Sequence, residues 1–176
     1  QINMEKYTPS HIANYFLCRV CEEGIEITPM KLIKLVYIAY GWNLVMNNGQ
    51  KLFEEPILAW NYAPVIPSLY YEFRESGKKP IPKGNYSAVF NDYEDEEFGG
   101  KTRKLESVPI VEDNTLVLKI LNAEWNHYKN YNGIQLSEIT HKEGSPWRNA
   151  ITKGLNTRLD DNDIKAFFIK EITKLM

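Results

Sequence analysis

The sequence predicts a mainly α fold: a single compact helical domain around one buried helix, at about residues 28–46. Three observations carry this. The run from Thr28 to Leu44 is apolar on almost every side and capped at its start. Further apolar-periodic segments open with the same Thr-Pro or Ser-Pro device at Thr8-Pro9 and Ser145-Pro146. Residues 78–113 are the least regular part and read as a small β-hairpin or loop insertion.

Thr28 is an N-cap whose hydroxyl can accept from a free first-turn amide, and Pro29 takes the position where its missing N–H costs nothing. Leu32, Leu35, Val36, Ala39 and Trp42 form one apolar row, and Met30, Ile33, Tyr37, Tyr40 and Leu44 a second. Asn47-Asn48-Gly49 supplies the stop. A helix apolar nearly all round is buried by neighbours on several sides. Leu35, Val36, Ala39 and Trp42 are therefore expected to meet helices at 9–23 and 114–131. The remaining strip carries Lys31, Lys34 and Gly41. Cations in the first turns oppose the helix dipole. These two lysines either snorkel to water or meet carboxylates of this chain or a partner.

The other elements follow in order. Ile12, Ala13, Phe16, Leu17 and Val20 give an amphipathic helix ending at Gly24. The segment 52–67 is punctuated by Pro56, Pro64 and Pro67, and Ile57–Trp60 is too short to separate strand from buried loop by period. Pro67-Ser68 opens a helix through Leu69, Tyr70 and Phe73 to Gly77. Within 78–113, residues 86–90 and 105–111 either pair as a hairpin around Gly99-Gly100 or form a mobile loop. The acidic run 92–97 reads as a solvated face or loop. Asp113 or Asn114 caps a helix through Val117, Ile120, Leu121, Trp125 and Tyr128, closing near Gly133. Leu136–His141 is a short segment, Ser145-Pro146 opens a helix to Gly154, and Asp160–Asp163 loads acid at the start of the last helix.

Composition bounds the function. The chain has 176 residues, 43% hydrophobic and 25% charged, which is ordinary for a globular protein. A net charge of −2 lacks the basic footprint of a general nucleic-acid binder. No apolar run is long enough to span a bilayer, and no secretory leader is visible, so the expected compartment is cytoplasmic. Gln1-Ile2-Asn3 is compatible with a cloning remnant ahead of Met4, giving one domain over 4–176.

Catalytic or cofactor chemistry is hard to assemble. Cys18 and Cys21 form a C-x-x-C, but late in a helix and beside Glu22 and Glu23, which should raise a thiol pKa rather than lower it. Histidine occurs only at 11, 127 and 141, and no phosphate, dinucleotide, zincin or nucleophile-elbow motif is present. His141, in the polar stretch 140–147, is the best candidate for chemistry, with Glu143 a nearby carboxylate. A histidine in such a stretch more often ties a loop by hydrogen bonds. The stretch 140–147 is expected to pack against 57–67, with the His141 ring as that tie. No catalytic residue, cofactor or metal site is expected.

Three stretches together resemble a known family. Thr28-Pro29-Met30-Lys31-Leu32-Ile33-Lys34-Leu35-Val36-Tyr37, with Gly41-Trp42, is similar to its first signature. Leu52-Phe53, Pro56-Ile57, Ala59-Trp60, Pro64-Val65 and Pro67–Tyr70 are similar to its second. Leu136, Thr140-His141 and Ser145-Pro146-Trp147 are similar to its third. The family is the Panacea antitoxin domain, which includes SocA-like antitoxins and phage-associated GepA-like proteins. One departure is Ala63, where family members often carry glycine.

The resemblance implies a mostly helical, non-enzymatic prokaryotic or phage module that neutralises a toxin encoded beside it by direct binding. At least one member instead acts as an adaptor that delivers its toxin to a cytoplasmic ATP-dependent protease. A hydrolase using His141 is the less favoured alternative. The motif residues Thr28, Pro29, Leu35, Trp42, Pro64, His141, Pro146 and Trp147 are read as structural. Partner binding is assigned to Trp60, Tyr62, Tyr70 and Tyr71, with Lys31 and Lys34 as charged contacts, because interfaces draw energy from aromatic anchors.

Overall fold

A computed structural model describes residues 7–97 and 99–176. The remnant-and-start reading of Gln1–Met4 falls outside the described residues. The helices are α1 (Pro9–Glu23), α2 (Pro29–Met46), α3 (Pro67–Phe73), α4 (Thr115–Tyr128), α5 (Gly133–His141), α6 (Pro146–Ile151) and α7 (Asp161–Lys174). Two antiparallel hairpins interrupt them: β1 (Leu58–Trp60) with β2 (Ala63–Val65), and β3 (Ala88–Asp95) with β4 (Gly100–Ser107).

The Thr28 hydroxyl accepts from the Lys31 amide and Pro29 opens α2. Leu35, Val36 and Ala39 have no exposed surface. Helices α1, α4, α5 and α7 all pack on α2, so its apolar surface is covered from several sides. Gly41 makes the α7 contact possible: a Cβ there would stand 2.1 Å from Cδ2 of Phe168. The Tyr40 hydroxyl donates to the Asp161 carboxylate at 2.8 Å and fixes the start of α7.

The two lysines neither snorkel to water nor, among the described residues, meet a carboxylate of this chain; both are buried. The Lys31 ammonium donates to the backbone carbonyl of Lys129, just past the end of α4. Cations are favourable at such C-terminal carbonyls. Lys34 lies on the side of α2 covered by β2 and α3.

Helix α4 stops at Tyr128, before Gly133. Gly133 opens α5 instead of closing α4, because Asn132 forms a reciprocal cap. Its side chain accepts from the Gln135 amide, and the Gln135 side chain accepts from the Asn132 amide. A Cβ at 133 would meet the Met30 sulfur at 2.9 Å, so glycine also permits a close approach to α2.

Residues 78–113 contain the hairpin around Gly99-Gly100: residues 88–90 pair with 105–107, inside the expected 86–90 and 105–111, and both strands run on through the charged stretches to Asp95 and Gly100. Asp92 stands opposite Arg103 and Glu94 opposite Lys101. The Arg103 Nε to Asp92 distance is 2.9 Å. Opposite charges across the ladder make the acidic run a strand. The hairpin is anchored at its base by buried Asn14 of α1. That amide donates to the carbonyls of Ser87 and Val108 and accepts from the Ser87 N–H at 2.7 Å.

Glu124 of α4 has no exposed surface, and neither carboxyl oxygen has a hydrogen-bond partner. Burial pushes its pKa well above the ordinary 4.5. The folded chain therefore holds a proton that the unfolded chain releases above about pH 4.5. Stability falls as pH rises through that window, by about 1.4 kcal/mol per pH unit from this group until it ionises in the fold. Glu124→Gln keeps the shape without the ionisation. Its stability relative to the natural chain is expected to rise as pH increases above about 4.5, in denaturant titrations, and to level off only where the folded-state carboxyl ionises.

Candidate partner interface

The hairpin β1–β2 is short, yet it is held on both sides. The segment 156–159 pairs with β1 through Ala59 N–H to the Thr157 carbonyl (2.8 Å), Asn156 N–H to the Ala59 carbonyl (2.9 Å) and Leu159 N–H to the Ile57 carbonyl (2.9 Å). From beneath, the Trp147 indole N–H donates to the Trp60 carbonyl at 2.8 Å. Helices α5 and α6 contact β2 and β1 respectively, so the stretch 140–147 does lie against 57–67.

Trp147 makes one tie, and the His141 ring also meets the hairpin, through a hydrogen-bonding interaction with the Tyr62 backbone. His141 is the last residue of α5, not a loop residue. Its ring rests on Trp147 with centroids 4.6 Å apart, and Nε2 is buried without a hydrogen-bond partner. Burial, and then the nearby Lys34 ammonium, lower its pKa. The imidazole thus packs on the Trp147 indole and reaches the Tyr62 backbone, so it shares in bracing the hairpin. Among the described residues no hydrogen bond or ion pair joins it to Glu143, which is exposed.

The four aromatics assigned to partner binding come together on the outer side of this hairpin. Trp60 meets Tyr70 and Tyr71 edge-on, with centroids 5.0 and 6.2 Å away, and Tyr70 meets Tyr71 at 5.4 Å. The Arg74 guanidinium lies over the Tyr71 ring at 5.4 Å. Tyr62, at the hairpin turn, is 84% exposed, and Tyr71 is 56% exposed. Trp60, Tyr62 and Tyr70 line a surface cleft of about 390 Å³ together with Leu155 and Asn156. Pro64 is buried in β2, where it needs no ladder donor of its own beside Ala59. The turn does not require glycine at 63: positive φ at non-glycine residues is found, among the described residues, only at Asn48 and Asn156.

Not every sequence candidate reaches this surface. Lys31 lies elsewhere, spent on the α4 terminus. Lys34 is 2% exposed and borders a second cleft, of about 280 Å³, that shares Ala63, Val65 and Tyr70 with the first. Leu155, 57% exposed, and Arg74 were not singled out from sequence. An apolar residue directly after Gly154, in a short connection, was the available signal for Leu155.

Cys18 and Cys21 are free and half-buried. The Cys18 thiol is pushed up by burial and by Glu22, to which it donates at 3.6 Å, so it is not an activated nucleophile. No group of three or more potential metal ligands occurs among the described residues. No helix among them is long and apolar enough to cross a membrane.

The sequence matches one known family over most of its length. The model of the family described as "Antitoxin SocA-like, Panacea domain" matches residues 32–148. That span includes most of α2, both hairpins, α4, α5 and the start of α6. No curated protein and no solved structure matches the chain. Covering about two thirds of the sequence, the family match shows that this chain belongs to the SocA-like antitoxins with a Panacea domain.

Proposed function

We propose that this protein is the antitoxin of a toxin–antitoxin pair, acting in the cytoplasm by stoichiometric binding of a toxin encoded beside it. The observation that carries the reading is the family match over residues 32–148. Residues 4–176 then act as one binding module without turnover. The supporting geometry is a surface of clustered, partly exposed aromatics on a hairpin braced from two sides. Aromatic side chains offer large contact area at low entropic cost, and a braced scaffold loses little freedom on binding. The interface comprises Trp60, Tyr62, Tyr70 and Tyr71, with Lys34 beside them; Lys31 is left out.

The test is co-expression with the adjacent gene. Growth arrest by that gene alone, relief when this protein is present, and co-purification of the two are expected. A neighbour harmless on its own, or one still toxic while unbound, would end the antitoxin reading. Rescue that disappears in a strain lacking the ATP-dependent protease would replace sequestration by delivery for degradation.

A further inference from the structure

Lys31 and Lys34 sit one turn apart on α2 and are both buried, Lys34 the more deeply, but only Lys31 has a hydrogen-bond partner among the described residues. Lys31 reaches a carbonyl of the chain. Among the described residues Lys34 makes no hydrogen bond or ion pair, and its ammonium borders the cleft of about 280 Å³. The walls are Ile33, Pro64, Val65 and Tyr70, with Arg74 at the rim, and no carboxylate lines it. Burial alone brings the Lys34 pKa down from 10.5 to about 8, with no anion to hold it up. A buried, unpaired cation is a standing cost that methionine would avoid at similar volume. The cleft is continuous with the exposed aromatic surface through Tyr70.

We propose that the cleft over Lys34 receives an aspartate or glutamate side chain, flanked by an apolar residue, from a polypeptide partner. On the antitoxin reading, on which the partner's identity rests, this is the toxin. The carboxylate meets the Lys34 ammonium, the apolar neighbour lies on Val65 and Tyr70, and Arg74 adds a second positive charge at the mouth. A polypeptide fits better than a small carboxylic acid because the cleft opens directly into the larger aromatic surface.

The pair acetyl-Leu-Glu-Leu-amide and acetyl-Leu-Gln-Leu-amide tests the pocket without the toxin. Each is titrated onto the intact chain while the Lys34 side-chain carbon signals are followed by NMR. The Glu peptide is expected to move the Lys34 signals, raise its titration midpoint and bind at least 10-fold more tightly than the Gln peptide. In Lys34→Met the two peptides should bind alike. Equal binding to the natural chain, or no response at Lys34, overturns the proposal.

Lys34→Met is also expected to melt at or above the natural temperature while binding the neighbouring gene's product at least 30-fold more weakly. Unchanged affinity in that well-folded variant overturns the assignment. Glu-selective peptide binding with no binding of the neighbour's product tells against the antitoxin reading while still supporting an acidic partner for Lys34.

Discussion

Gly41→Ala destabilises the fold by about 3 kcal/mol, the upper end of the range for overpacking a filled core. The new methyl would fall 2.1 Å from Cδ2, 2.3 Å from Cε2 and 2.7 Å from Cγ of Phe168. Phe168 cannot swing away: it has no exposed surface and its ring is met edge-on by Tyr37 at 5.6 Å and by Phe167 at 5.1 Å. Relief requires α7 to back off α2, which loosens the helix that buries one whole side of the core. Because the clash is with one ring, the effect is strongly coupled to it. Phe168→Leu alone costs stability through its cavity, but in the Gly41→Ala background it should cost much less. Urea denaturation of the four chains in this cycle measures the coupling; strict additivity would mean that the α2–α7 contact is not where the strain falls.

The largest functional effect is expected at the aromatic surface. Replacing both Tyr62 and Tyr71 by alanine should weaken toxin binding by at least about 100-fold, roughly 2.7 kcal/mol, within the reach of two interface anchors. Stability should change by no more than about 1 kcal/mol, because Tyr62 projects into solvent and Tyr71 loses edge contacts to Trp60 and Tyr70 and an exposed stack under Arg74. Titration calorimetry with the purified neighbour's product, beside a melting curve of each variant, separates the two effects. Wild-type affinity in the double variant would remove this surface from the interface. Phe90, Leu105 and Val89, exposed on the projecting hairpin β3–β4, would then be next to test.

What could be read in the sequence was what local chemistry decides. Thr28, Asn114, Ser145 and Asp160 cap their helices through their own side chains, and each cap needs only residues two or three positions away. The aromatics Trp60, Tyr62, Tyr70 and Tyr71 converge because a two-residue turn and an immediately following helix bring near neighbours together. Contacts between distant segments were not legible. The acidic run 92–97 is a solvated face, one of the two readings the sequence allowed, but that its first part is a strand becomes visible only when Arg103 and Lys101 stand across from it. Lys31 looks free until Lys129 arrives from 98 positions away. His141 was the natural choice for a tie because its ring can donate and accept. The His141 ring meets the Tyr62 backbone, and a second bond, not foreseen, comes from Trp147, whose indole N–H is aimed at Trp60 by the first turn of α6. Gly133 carried the usual stop signal, and the reciprocal Asn132–Gln135 cap reversed its meaning.

The central claim is that this protein neutralises by occupying its partner, one binding event per toxin molecule. Its most direct test is to titrate the purified chain against a fixed amount of the purified toxin and assay residual toxin activity without any protease present. Inhibition that is complete at a fixed molar ratio, independent of incubation time and accompanied by a stable complex is the predicted result. Progressive inactivation by substoichiometric amounts of this chain, or undiminished toxin activity at saturating amounts, would contradict it.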